Sequence, residues 1–283
     1  MELICRTIYG SYIQTCALLG KPVVLAANST LNEKLGIQSG IAYATDQMPY
    51  MRYAAIGNGG HKMVMGTNGI SRPEPIQHRS TDAALYNQIP FVLRLQDNDL
   101  TAVQREKYAH RRTEVHDGTT YIAYYLKRLD YVGVSTEMKY QSVVDGVTTS
   151  SPFVPNNSNL NPTPPDLSST GVNVTTGDYV SAIANVPFSL NVDEVNEIIN
   201  VANIIYGDTG YAIISEIALC AGVDKVVPTV GQSGTTFNFG EVIGTQVVSF
   251  INSFFAMNFS NNGLSVIFGV GATEPALVLT STP

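Results

Sequence analysis

Asp97 and Asp99 stand in the run Asp-Asn-Asp-Leu-Thr at residues 97–101. In a D-x-D-x-T spacing the first aspartate can act as a covalent nucleophile and the second as a general acid and base. The run directly follows the strand-like segment PFVLRL, with Phe91, Leu93 and Leu95 alternating. Phosphoryl transfer on such a pair also needs a lysine to balance charge and a later pair of acids to hold magnesium. Asp178 and Asp208 lack that paired spacing, and Arg94 interrupts a strand that a parallel sheet would bury on both faces. The reading that fits this neighbourhood is structural, with Asp97 and Asp99 as turn and helix-start residues.

The other chemically able residues are equally unorganised. His61, His78, His110 and His116 all lie in the first half of the chain, but no pair has metal-ligand spacing on a recognisable scaffold, so hydrogen-bonded or solvated histidine is expected. Gly57, Gly59 and Gly60 form no phosphate-binding loop and are expected at positive-φ turn positions. Cys5, Cys16 and Cys220 are an odd number without close pairing, which suggests buried free thiols. Arg105, Lys107, Arg111 and Arg112, with Lys127 and Arg128, are interspersed with Glu106 and Glu114, the pattern of a salt-bridged helix face rather than a nucleic-acid surface. No catalytic residue, cofactor or metal site is expected, and the chain is read as not an enzyme.

The elements implied by the pattern are mostly strands. Residues 1–95 alternate short apolar runs with turn residues, and Pro73 and Pro75 hold the Arg72–Arg79 stretch extended. Thr101 and Gln104 have capping-box spacing and predict a short helix near 101–112. Asp117-Gly118 is a hairpin turn that leads into the tyrosine-rich strand TTYIAYYLKRLDYVGV. The clearest helix is NVDEVNEIINVANIIYGD, capped by Asn191 with Glu194, stopped at Gly207, and striped by Val195, Ile198, Ile199, Ala202 and Ile205. TGYAIISEIALCAGV reads as a strand, and Asn262-Gly263 turns into a terminal strand, LSVIFGVGA. GEVIGTQVVSFINSFFAMNFS fits helical spacing at Ile243, Val247, Phe250, Ile251 and Phe254, yet its Val, Ile and Phe content suits a strand, and both remain open.

Charge is unevenly spread. Residues 1–139 hold fifteen of the sixteen Lys and Arg against twelve acids, a net +3, while residues 140–283 hold Lys225 alone against eleven acids, a net −10. Beyond Lys225 only Glu241 and Glu274 are charged, where a free surface usually mixes about 25–35% charged residues. That segment must be covered by its own domain or by a partner, and Phe250, Phe254, Phe255, Met257 and Phe259 are the candidate contact residues. Between 141 and 190 the chain becomes rich in Pro, Ser and Asn, so an extended arm on a neighbouring subunit or a linker is expected, with Pro152, Pro155, Pro162, Pro164 and Pro165 as candidate interface positions. The expected organisation is thus a mixed β/α domain over 1–140, an arm or linker over 141–190, and an acidic, charge-poor β-rich domain over 191–283. The expected fold class is α+β, β-rich, with antiparallel sheets or a β-sandwich and a few short helices. The opening MELICRTIYGSYIQTCALLGKPVV lacks the apolar run of a targeting signal, and no run is apolar and long enough to enter a membrane.

Three stretches, DLTAVQREKYAHRRTEVHDGTTYIAYYLKRLD, VDEVNEIINVANIIYGDTGYAIISEIALCAGVDK and VSFINSFFAMNFSNNGLSVIFGVGATEP, together resemble structural proteins of tailed bacteriophages. The resemblance is to a baseplate wedge component of contractile-tailed phages. It implies an oligomeric, enzymatically inert subunit of the virion, assembled in the host cytoplasm with copies of itself and other virion proteins, without nucleic-acid binding or membrane insertion. A neck, collar or capsid-associated protein, or a receptor- or glycan-binding β-domain, would share these features.

Overall fold

The computed structural model describes residues 3–25, 35, 37, 47–145, 147–160, 172–231, 234, 236–260 and 263–280. The chain folds as two compact units, the first made of Met1–Leu129 with Ser189–Leu264 and the second of Asp130–Phe188 with Ser265–Pro283. The fold is β-rich α+β with antiparallel sheets. The division differs from the expected one. Residues 189–264 rejoin the first unit because their two long strands hydrogen-bond to strands from residues 3–57, while 265–283 go with the second unit, and such non-local pairing leaves no mark in local composition.

In the first unit the sheet runs β1 (Leu3–Arg6), β13 (Thr236–Ala256), β12 (Ile213–Val230), β2 (Tyr50–Gly57), β8 (Thr119–Arg128), with β6 (Val92–Leu95) and β7 (Tyr108–His116) both paired to β8 and β5 (Gln88–Ile89) paired to β2. Separately, β3 (His61–Met65) and β4 (Ser71–Pro75) form a hairpin. β8 is buried over five consecutive residues, Ile122–Leu126, because it is hydrogen-bonded along both edges and covered on both faces. Its turn from β7 holds Asp117 at φ 47 and Gly118 at φ 74, the left-handed pair of a two-residue type I′ hairpin. The short helix is only one turn, α2 (Ala102–Arg105), and residues 108–116 are strand instead of helix. Tyr108, Thr113 and Val115 pair residue by residue with β8, and this pairing overrides the helix-like charge spacing.

The ambiguous GEVIGTQVVSFINSFFA is strand β13. Its edges bond to β12 and, over Ser249–Asn252, to β1. A strand buried on both faces carries a near-continuous apolar run, in which helical spacings occur by default. This accounts for much of the charge-poor segment: Phe239, Val242, Val247, Phe250 and Ile251 are covered by the chain itself.

A three-turn helix near the start of the chain was not expected. α1 (Ile8–Leu19) starts at Thr7, whose Oγ1 accepts the Gly10 N–H at 3.1 Å, and ends at Gly20 with φ 61. It lies directly on β13 at Gly10, where a Cβ would stand 2.8 Å from the Val248 carbonyl oxygen. Ile13 and Cys16 bury with Val23 and Ala221 beneath it. α3 (Val192–Tyr206) follows the sequence reading closely, with the reciprocal Asn191–Glu194 capping box and Gly207 at φ 69. Its buried face, Val195, Ile198, Ile199 and Ala202, belongs to the core, and the Asn200 side chain donates to the Leu93 carbonyl at 3.2 Å.

The second unit is a four-stranded antiparallel sheet in the order β10 (Val147–Pro152), β9 (Thr136–Val144), β11 (Val172–Leu190), β14 (Leu264–Thr280). The stretch expected as an arm therefore contributes two strands. Tyr179, Ser181 and Ile183 pair in register with Gln141, Lys139 and Glu137, and this ladder satisfies the backbone where Pro, Ser and Asn content suggested irregular chain.

Candidate functional site

Asp99, the second aspartate of the D-x-D-x-T run, is enclosed by donors. Its Oδ1 accepts the Tyr124 hydroxyl at 2.6 Å and the Leu100 N–H at 2.7 Å, and its Oδ2 accepts Arg111 Nη2 at 2.9 Å, with Arg105 at 3.7 Å. Burial and then the Asp99 contact push the Tyr124 phenol above its ordinary value, so it stays a donor. Thr101 Oγ1 caps α2. The strand before this run, β6, is antiparallel to β8. The run is thus a stitched turn between β6 and α2, as the structural reading expected, and Asp97 is exposed.

A second buried carboxylate, Glu216 on β12, was not singled out by the sequence. Its Oε1 accepts the N–H groups of Asn87 (2.9 Å) and Gly59 (3.2 Å), and its Oε2 meets the Tyr86 N–H (2.9 Å) and His78 Nε2 (3.1 Å). The other imidazole nitrogen of His78 faces Asp82 at 3.2 Å, and the ring is stacked between Tyr86 and Phe250 with centroids at 4.2 and 3.8 Å. Both ring nitrogens thus face carboxylates. Burial would raise Asp82, but backbone and side-chain bonds from Arg79, with His78, outweigh it and hold the carboxyl below its ordinary range. Gly57, Gly59 and Gly60 are not positive-φ residues as expected. They are needed for close approach: a Cβ on Gly60 would lie 2.6 Å from the Ser215 carbonyl and 2.7 Å from Glu216 Cβ. The glycine run lets the backbone wrap the buried acid.

Most of the basic residues are paired with acids, several of them sharing one carboxylate. Arg111 pairs with Asp99, Arg112 with Glu114, Lys127 and Lys107 with Glu194, and Arg128 and Arg52 with Asp224. His110 bridges Glu241 and the Leu35 carbonyl, and His116 reaches Glu114. Burial lowers His61, with Glu216 opposing the shift, and it also lowers Lys127 against the pull of Glu194. Cys16 and Cys220 are buried free thiols and Cys5 is partly exposed, with Cys220 pushed up to about 12 by burial. These groups are arranged to hold strands together.

The expected interface residues separate. Phe250 and Met257 are buried within the chain and are corrected as contact positions: Phe250 is the stacking partner of His78. Phe254 lies edge-on to His61 at 4.9 Å and, like Phe255, is half-buried. Phe259 remains a surface residue, 74% exposed. Pro152 ends β10 and Pro155 follows it, both exposed, while Pro162, Pro164 and Pro165 fall outside the described residues. Sequence reasoning also missed an exposed apolar surface on and beside α1, made by Ile4, Ile8, Tyr12, Leu18 and Val24. The missing charge between Arg6 and Lys21 was its signal.

The second unit presents an open strand surface. Every residue of β10 is exposed, and Met138, Tyr140, Tyr179 and Ile267 stand exposed on the neighbouring strands. Its described buried side chains are few, chiefly Ser181, Val186, Phe188 and Phe268, the last two stacked at 5.9 Å. Residues 130–188 and 265–283 carry six acids and a single base, Lys139, a net −5. Among the described residues no helix is long and apolar enough to cross a membrane.

Fold and surfaces define a β-rich antiparallel protein in which buried charge staples strands and uncharged strand surface lies open. Residues 1–283 match DUF7208, a family of unknown function, and the chain belongs to that family. No curated protein and no solved structure matches it.

Proposed function

We propose that this chain is a structural subunit of a bacteriophage tail, a baseplate wedge component that assembles through its four-stranded sheet and other uncharged surfaces. The observation that carries this reading is the second unit, a sheet with little buried side chain of its own and an edge strand, β10, that is exposed throughout and uncharged. A sheet gains stability by covering at least one face, and an edge without charge is a template for a further strand or a packed partner. The acidic balance of this unit favours a partner surface that is apolar and basic, with other virion proteins as the source. The resemblance of the three sequence stretches to phage structural proteins supplies the setting.

Cross-linking mass spectrometry on assembled particles tests this reading. Lys139, the one lysine of the second unit, should give cross-links to lysines of another virion protein. Cross-links from Lys139 confined to this chain, in particles where other lysines reach neighbours, would count against the sheet as the docking surface.

A further inference from the structure

The first unit holds a cavity of about 190 Å³ between α2 and the start of β13, walled by Arg105, Glu106, Tyr108, Arg128, Phe237 and Asn238. The Arg105 guanidinium lies 3.8 Å from the centroid of the Phe237 ring, and its Nη1 donates to the Leu100 carbonyl at 2.7 Å and lies 3.7 Å from Asp99 Oδ2. Arg128 donates through Nη1 to Asp224 and through Nη2 to the Gly240 carbonyl. Each guanidinium has five N–H groups, more than its hydrogen bonds among the described residues use.

The local charge count points the same way. Asp99 and Asp224 are the two acids behind the wall, and four guanidiniums share them: Arg105 and Arg111 on Asp99, Arg52 and Arg128 on Asp224. That leaves a local excess of positive charge in a chain whose net charge is −7. Glu106, exposed, is the one acid lining the cavity. A guanidinium stacked on an aromatic ring keeps its in-plane N–H fork available, the geometry that matches a planar or tetrahedral oxyanion.

We propose that this cavity binds a single oxyanion group, a carboxylate or phosphate on a small body, gripped by Arg105 and Arg128 with Phe237 as its apolar wall. The volume fits one such group with a few attached atoms and is below the usual range of about 300–1,000 Å³ for larger ligands. The site stands independently of the assembly reading. The same chemistry can come from an acidic side chain of another protein or from a free small phosphate compound.

The test is an NMR titration of the full chain labelled with nitrogen-15, using sodium phosphate and, separately, N-acetyl-aspartate, with sodium chloride at matched ionic strength as control. The expected result is a saturable shift of the Phe237–Gly240 amides and of the Arg105 Nε–Hε signal with at least one of the two anions, and the stronger responder identifies the source. Arg105→Gln should weaken that binding about tenfold or more through loss of a charge-assisted contact. Glu106→Gln, a change at an exposed rim, should tighten it by roughly two- to fivefold through removal of a like charge. A general loss of structure cannot produce these opposite effects. No saturable shift with either anion, equal binding in Arg105→Gln, or weaker binding in Glu106→Gln overturns the proposal.

Discussion

Replacing Glu216 by glutamine changes one oxygen into an NH2 group in a carboxylate that is fully buried in the first unit. Both side-chain oxygens of Glu216 are filled, Oε1 by the N–H groups of Gly59 and Asn87, Oε2 by the N–H of Tyr86 and by His78 Nε2. With the amide nitrogen in the Oε1 position, two backbone donors face another donor. In the Oε2 position, the amide faces the His78 ring and the Tyr86 N–H is orphaned. A hydrogen bond to a charged group contributes about 1.5–3 kcal/mol, so one or two such losses give roughly 1.5–6 kcal/mol. That is a large share of a total stability of about 5–15 kcal/mol. Urea unfolding followed by far-ultraviolet circular dichroism measures it. Glu74→Gln, which breaks an exposed pair with Arg72, is the control and should cost about 0–1 kcal/mol. A Glu216→Gln midpoint indistinguishable from the parent would refute the claim that this carboxylate ties the 57–60 and 78–87 loops to β12.

Asp99→Asn should destabilise by about 3–5 kcal/mol, since Arg105 and Arg111 lose their shared buried acid, while Asp97→Asn at an exposed position should stay within about 0.5 kcal/mol in the same urea assay. Gly60→Ala should cost on the order of 1–3 kcal/mol because its Cβ would press on the Ser215 carbonyl and Glu216, and a neutral result would contradict the close packing there. Acid should weaken the fold. Burial would raise Glu114, but bonds from Tyr125, His116 and Arg112 outweigh it and hold the carboxyl below its ordinary 4.5, so its contribution is full above that value and is lost as pH falls through the lower folded value. His61, lowered from 6.5 by burial, acts in the same direction, its contribution being full above 6.5 and lost as pH falls through its folded value. Thermal unfolding between pH 7 and pH 3 should therefore show stability falling continuously, and a flat profile would contradict both assignments.

Local chemistry made some of this fold readable. The Asn191–Glu194 box, the Gly207 stop and the Asp117-Gly118 turn each depend on neighbours within a few residues, and each is where the pattern placed it, whereas the expected alternation of Phe91, Leu93 and Leu95 is not seen: Val92 is buried with Phe91 and Leu93, and Leu95 is exposed. What could not be read depends on distant partners. β13 carried helical spacing because it is buried on both faces, and α1 gave a weak signal because it buries only Ile13 and Cys16 while Ile8, Tyr12, Leu18 and Leu19 stand exposed beside Gln14 and Thr15. Glu216 sits among Ser215, Ile217 and Ala218 with nothing nearby to mark it, since its donors arrive from residues 59–87. The same limit governed the candidate surface: five aromatic and methionine positions in one short stretch looked alike, and only pairing decided that Phe250 and Met257 turn inward while Phe259 faces out.

Peptide mass spectrometry of intact particles, purified from the host cells that make this chain, tests the central claim most directly. The account predicts its peptides in washed particles at an abundance comparable to that of other tail subunits. Their absence from intact particles, with the chain plainly present in the surrounding lysate, would contradict a structural role in the virion.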